Sequence, residues 1–214
     1  MTELPADTFK GRTVLIVIVG HLASAPRAQK EAIALRTAGA KVIIRGNWFD
    51  QALVDEDVAL AQALDVDFAP ATDLRREGGR LTDRVRHRVA HESFRRLGTL
   101  SARVLGPGAP ELLRAARHIK ADLTVVHSEP GLWLGRRLLE DGRRVGVDFE
   151  DWFSHDQLSS DRKEPIRESL RALERHMLRH AHCCLTTTQV LSDALAEDAG
   201  TARRPTVVRN CFPA

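Results

Sequence analysis

The stretch "VIVGHLASAPRAQKEA", Val17 to Ala32, decides the fold. It completes an aliphatic run, "TVLIVIVG" (Thr13–Gly20), of the kind expected for a strand buried on both faces of a parallel sheet. Beyond Gly20 a polar turn leads into a stretch of helical periodicity. Pro26 suits a first helical turn, where its missing N–H is no loss. Ala28, Ala32 and Leu35 form a narrow apolar face, and Gly39 is a plausible terminator. Strand, glycine and helix open many nucleotide-binding folds. This turn, however, lacks G-x-G-x-x-G and offers His21, Ser24 and Arg27 instead.

Working outward, "KVIIRG" (Lys41–Gly46) reads as a second strand, followed by a short helix around Asp57–Leu64 and a weak strand near Val66–Phe68. Downstream, "LTVVHS" (Leu123–Ser128) is another buried strand, with a helix over Gly131–Glu140. "RVGVDFE" (Arg144–Glu150) precedes a long helix from about Lys163 to Ala181. "CCLTTT" (Cys183–Thr188) leads to a helix, Gln189–Ala199, with Thr188 placed to cap it, and "PTVVRN" (Pro205–Asn210) is the last strand. The alternation predicts right-handed crossovers and an α/β, doubly wound, mostly parallel sheet. One Rossmann-like domain over residues 13–214, after an N-terminal tail of residues 1–12, accounts for the chain.

Composition narrows the function classes. The 214 residues are 43% hydrophobic and 29% charged, ordinary for a soluble globular protein. A net charge of +3 is too even to imply nucleic-acid binding. Three cysteines without C-x-x-C spacing indicate neither a disulfide framework nor a zinc site, and point to a reducing, cytoplasmic setting. The opening "MTELPADTFKGR" lacks the layout of a signal peptide, and the longest apolar run, Val14–Val19, is far short of the roughly 20 residues that span a bilayer. The histidine pairs His87/His91 and His176/His180 come without an acidic third ligand, so no metal is expected.

Arg75–Arg103 interrupts the alternation with nine arginines against three acids. Within this basic segment (about 75–105), Leu81, Val85 and Val89 recur every fourth residue, and Leu97, Leu100 and Val104 continue a drifting stripe. A helix packed on the sheet and an interfacial helix making peripheral membrane contact both fit this pattern.

In open α/β sheets, ligands bind beyond the carboxyl ends of the strands. The expected strand ends bring together Gly20, His21 and Arg27; His127, Ser128 and Glu129; Asp148, Glu150, Asp151 and Trp152; three threonines ending at Thr188; and Arg209 with Asn210. This is a polar rim suited to a hydroxyl-rich ligand. Arg27 sits in a first helical turn, against the preference of the helix dipole, and is expected to meet an anion there.

Taken together, these residues resemble the opening domain of retaining glycosyltransferases of family 4, whose GT-B fold has two facing Rossmann-like domains. "VGHLASAPRAQKEAIALRTAGAKVIIRG" resembles their first strand, Ser/Pro/Arg loop and helix. "ADLTVVHSEPGLWLG" is similar to their strand ending in His-x-His or His-x-Glu, and "VGVDFEDWFS" to their D-x-H-E-x-F stretch. "LERHMLRHAHCCLTTTQVLSDALAE" resembles their Glu-Arg helix and Ser/Thr-capped helix, and "PTVVRNCFP" their closing strand and Asn turn. Glu129 and Glu150 stand where many relatives carry histidine. The resemblance implies that these two carboxylates serve the reaction, by accepting sugar hydroxyls or steadying positive charge at the anomeric carbon. It makes Gly20, His21, Arg27, His127, Asp151, Thr188 and Asn210 contacts of a sugar acceptor. A nucleotide sugar would be the co-substrate, with neither cofactor nor metal, held by a donor-binding domain with a Glu-x7-Glu motif after the Asn turn. Because the sequence stops at Ala214, the expectation is of an acceptor-side half that is inactive alone. A non-catalytic Rossmann-like module that binds a protein partner is the alternative. The missing glycine fingerprint, and Arg45 and Gly46 in place of an acid after the second strand, argue against a dinucleotide oxidoreductase.

Overall fold

The computed structural model describes residues 7–75, 85, 88–90, 92–94, 102–106, 108–155 and 164–210. In chain order it has β1 (Thr13–Val17), α1 (Pro26–Thr37), β2 (Lys41–Trp48), α2 (Val54–Ala63), β3 (Asp67–Asp73), α3 (Ala109–His118), β4 (Leu123–His127), α4 (Ser128–Glu140), β5 (Val145–Phe149), α5 (Glu164–His180), β6 (Cys183–Thr186), α6 (Gln189–Asp198) and β7 (Thr206–Val207), with a helical turn at Ala102–Leu105. The strands form one sheet in the order β3-β2-β1-β4-β5-β6-β7. Every pairing is parallel. The order reverses between β1 and β4, the switch point at which open α/β sheets bind ligands.

The continuous apolar strands reflect burial on both faces. Val14, Ile16 and Ile18 pack with Ala28 and Ala32 of α1 on one face. Leu15 and Val17 pack with Leu112, Leu132 and Leu138 on the other. The small face of α1 (Ala28, Ala32) lets that helix lie close on the sheet. Gly39 follows its end at φ 89°, the left-handed conformation that a helix stop needs and glycine tolerates.

Several boundaries differ from the sequence reading. The helix expected from Gly131 begins at Ser128, whose φ of 63° turns the chain directly off the end of β4. Helix α3 escaped the reading altogether, although it buries Leu112, Leu113 and Ala116. The last strand is only two residues long. Residues 7–12 are no free tail: Phe9 packs against the core, its N–H bonding the Ala38 carbonyl at 2.8 Å. Of the basic segment's apolar stripe, Val85 and Val89 are 56% and 59% exposed while Val104 is buried. Leu81, Leu97 and Leu100 lie outside the described residues.

Candidate functional site

The ends of β1, β4, β5 and β6, with the first turn of α1, enclose a cleft of about 480 Å³. Gly20, His21, Ser24, Arg27, His127, Ser128, Glu150, Asp151, Thr187 and Asn210 are among its lining residues. Seven of the nine sequence-predicted site residues therefore share one cavity. The two exceptions are Glu129, in the first turn of α4, and Thr188, whose hydroxyl instead accepts the Leu191 N–H and caps α6. The threonine that reaches the cleft is Thr187.

The loop after β1 is held by its own chemistry. His21 is fully buried. Its Nδ1 lies 2.6 Å from Asp57 Oδ2, and its Nε2 accepts the backbone N–H groups of Phe49 (3.1 Å) and Asp50 (3.0 Å). An Nε2 that accepts must leave the proton on Nδ1, so the tautomer is fixed and both nitrogens are used. Asp57 also accepts the Ala23 N–H at 2.8 Å and the Trp48 indole N–H at 2.9 Å. His21 shapes the cleft wall but has no ring nitrogen left for a ligand. Close backbone contact completes the wall: the Asn47 N–H bonds the Gly20 carbonyl at 3.1 Å, and a Cβ on Gly46 would lie 2.2 Å from that carbonyl oxygen.

Arg27 does meet an anion, but an internal one. It donates from Nε (2.6 Å) and Nη2 (2.8 Å) to the two oxygens of Asp148, and from Nη1 to the Val208 carbonyl at 2.9 Å. This fork at 8% exposure ties α1 to β5 and to the segment after β7. Burial works against the Arg27 charge, yet Asp148 more than compensates and its pKa is raised. Burial also raises the Asp148 pKa, opposed chiefly by Arg27.

At the centre stands His127, 3% exposed. Its Nδ1 lies 3.0 Å from Glu150 Oε1 and its Nε2 3.0 Å from Glu31 Oε2, with Asp148 Oδ2 3.9 Å away. Burial alone would lower its pKa, but the hydrogen bonds to Glu150 and Glu31 outweigh it and push the value up to about 10. Ser128 follows at φ 63°, its hydroxyl on the His127 carbonyl at 2.5 Å. A non-glycine residue at positive φ beside a cleft is strain of the kind found at functional sites.

The loop beyond Glu150 is anchored from α5. Glu174, buried, accepts the Ser154 hydroxyl at 2.5 Å and the Ser154 N–H at 3.1 Å. Burial pushes its pKa up to about 7, partly offset by those two bonds. Trp152, expected at the rim, packs against the core and stacks on His155 with ring centroids 3.8 Å apart. Sequence reasoning did not single out Glu31, Asp57 or Glu174 as site residues, and among the rim threonines it chose Thr188 over Thr187. Glu31 left a signal, four residues after Arg27 and hence on the same helix face, and Glu174 stood in the Glu-Arg helix of the resemblance.

Glu31, His127 and Asp148 also bring three ligand-type atoms within 4.8 Å of one another. Arg27 already bonds both Asp148 oxygens, and both His127 nitrogens point at carboxylates. A guanidinium and imidazole protons thus fill the places a cation would take. Among the described residues no helix is long and apolar enough to cross a membrane.

The comparisons agree with this architecture. A UDP-N-acetylglucosamine 2-epimerase structure superposes with a TM-score of 0.56 at 15% identity, over 96% of this chain and 53% of its own. Sucrose-phosphate synthase from Thermosynechococcus elongatus gives 0.52 at 14% identity, over 92% and 47%. Arabidopsis thaliana UGT89C1 complexed with UDP gives 0.51 at 13%, over 94% and 50%. The chain spans about half the length of these structures. No curated protein matches it in sequence. The family model described as Glycosyltransferase Family 4 matches residues 58–213, covering β3 through β7 and most of the cleft's carboxylate side, and on that match the chain belongs to Glycosyltransferase Family 4.

Proposed function

We propose that this cleft is the acceptor-binding side of a retaining glycosyltransferase that takes its sugar from a nucleotide-sugar donor. One observation carries the reading. Glu150, at the end of β5, lines the cleft with one carboxylate oxygen fixed on His127, at the sheet's switch point, in a chain of the glycosyltransferase family. A carboxylate so held accepts a hydroxyl proton or faces the positive charge that grows at an anomeric carbon. Asp151 and Asn210 add polar groups at the rim, and Gly20 brings bare backbone. Glu129 sits in the first turn of α4 and is not among the residues that line the cleft.

The reading places the donor's nucleotide on a part of the enzyme outside these 214 residues, so the chain alone binds acceptor but does not turn over. The reading needs no metal at this cleft, because Arg27 and His127 already hydrogen-bond the Asp148, Glu150 and Glu31 carboxylates that a cation would use. Isothermal titration is the test. UDP-glucose and GDP-mannose should give no saturable heat with this chain, whereas nucleotide-sugar binding in the micromolar range would move the donor site onto it and overturn the division.

A further inference from the structure

The geometry points to Glu31 as a positioning residue: its carboxylate keeps the His127 ring doubly protonated, so that His127 acts as a permanent cation that aims Glu150 into the cleft and does not itself exchange protons. This rests on the reading of the cleft as the acceptor site, but its evidence does not. A neutral imidazole has one N–H and one lone pair. Here each ring nitrogen lies 3.0 Å from a carboxylate oxygen, Glu31 Oε2 on one side and Glu150 Oε1 on the other. With a single ring proton, one of these contacts would set a lone pair against an anionic oxygen, in a site nearly closed to water. With two protons both become charge-assisted hydrogen bonds.

The surrounding charges agree. Facing His127 are Glu31 from α1, Asp148 from β5 and Glu150 beyond it, with Arg27 of α1 bonded to that same Asp148. Arg27 gives its forked hydrogen bonds to Asp148 and reaches Glu31 and Glu150 only through its charge, so among the described hydrogen bonds the ring is the cationic donor to both carboxylates. The high pKa of His127 has this same cause.

The consequence for chemistry is a division of roles. The histidine at the end of β4 lines the cleft and has the look of a general base, yet it has no lone pair to offer near neutral pH. Glu150 has, and its ring-bound oxygen fixes where the other one points. Glu31, which does not line the cleft, acts only through His127.

The test is direct and needs no ligand. The His127 ring signals, assigned by NMR in the 214-residue protein, should not titrate between about pH 5.5 and 8.5. In Glu31→Gln, which keeps the side chain's shape and one acceptor oxygen but loses the charge, the midpoint should fall by two units or more. Glu31→Asp, which restores charge at shorter reach, should recover part of that shift. Backbone amide signals of β1, β2 and β6 should keep their positions in all three proteins and report that the fold is intact. A wild-type His127 midpoint below about 8, or a midpoint unmoved by Glu31→Gln in a folded protein, overturns the proposal. Neither result touches the assignment of the cleft to an acceptor, which ligand titration decides separately.

Discussion

At the scale of single residues, the site is a set of charges that satisfy one another before any ligand arrives. His127 has a folded-state pKa of about 10 against an ordinary 6.5. The folded state therefore holds a proton that the unfolded chain releases across that interval. The stabilisation it gives is full below about pH 6.5 and is lost as pH rises toward 10. Urea unfolding at about pH 6 and pH 9.5 should show the wild type losing stability on the order of 2 kcal/mol more than His127→Gln. Equal losses would show that the histidine is not held as a cation. Glu174 behaves in the same direction lower down. Raised from 4.5 to about 7, it favours the folded state below about pH 4.5 and loses that contribution as pH climbs through 7. Glu174→Gln should flatten the stability profile between about pH 4.5 and 7.5, and an unchanged slope would assign that slope to other groups. Much of this was legible only by position. The residues at the strand ends could be named because a parallel sheet exposes those ends, and Arg27 drew notice by standing against a helix dipole. What each touches was not legible. Asp148 is 121 residues from Arg27, and Glu31 96 from His127, so no spacing rule joins them.

At the scale of elements, the periodic and apolar segments announced themselves. β1, β2, β4, β5 and β6 lie where continuous hydrophobic runs put them, because burial on both faces demands such runs. Helix α3, ten residues long like α2 and α6, was missed because it sits beside the irregular basic segment, where no alternation frames it. Starting α4 at Ser128 puts Glu129 into its first turn and not among the residues that line the cavity, where a longer loop would have left it at the strand end. The junction between β1 and β2 carries a prediction at this scale. Gly46→Ala would put a methyl carbon 2.2 Å from the Gly20 carbonyl oxygen, a backbone atom that cannot swing aside. The substitution should destabilise by about 1–3 kcal/mol. It should also shift the amide signals of the Gly20–Ser24 loop. Gly142, with open space around it, is no such contact, although its φ of 76° still favours glycine. A Gly46→Ala protein with unaltered melting temperature would mean that the loop does not rest on β2 as described.

At the scale of the molecule, seven parallel strands build a rim whose polar ends face one way. Fold class and cleft location followed from the sequence because both depend on strand order and on the rule for open sheets. The internal balance of the cleft did not, since it arises only when α1, β4 and β5 are packed together. The proposed function has a sugar acceptor enter at this rim. The direct measurement is amide chemical-shift mapping of the 214-residue protein against a panel of monosaccharides, roughly 1 to 50 mM. One or more sugars should move the signals of Gly20, Ser128, Glu150, Asp151 and Asn210 together, and Glu150→Gln should weaken binding at least tenfold. Shifts that gather instead along the groove between Trp48 and Pro70, or no saturable shift with any sugar, would contradict it.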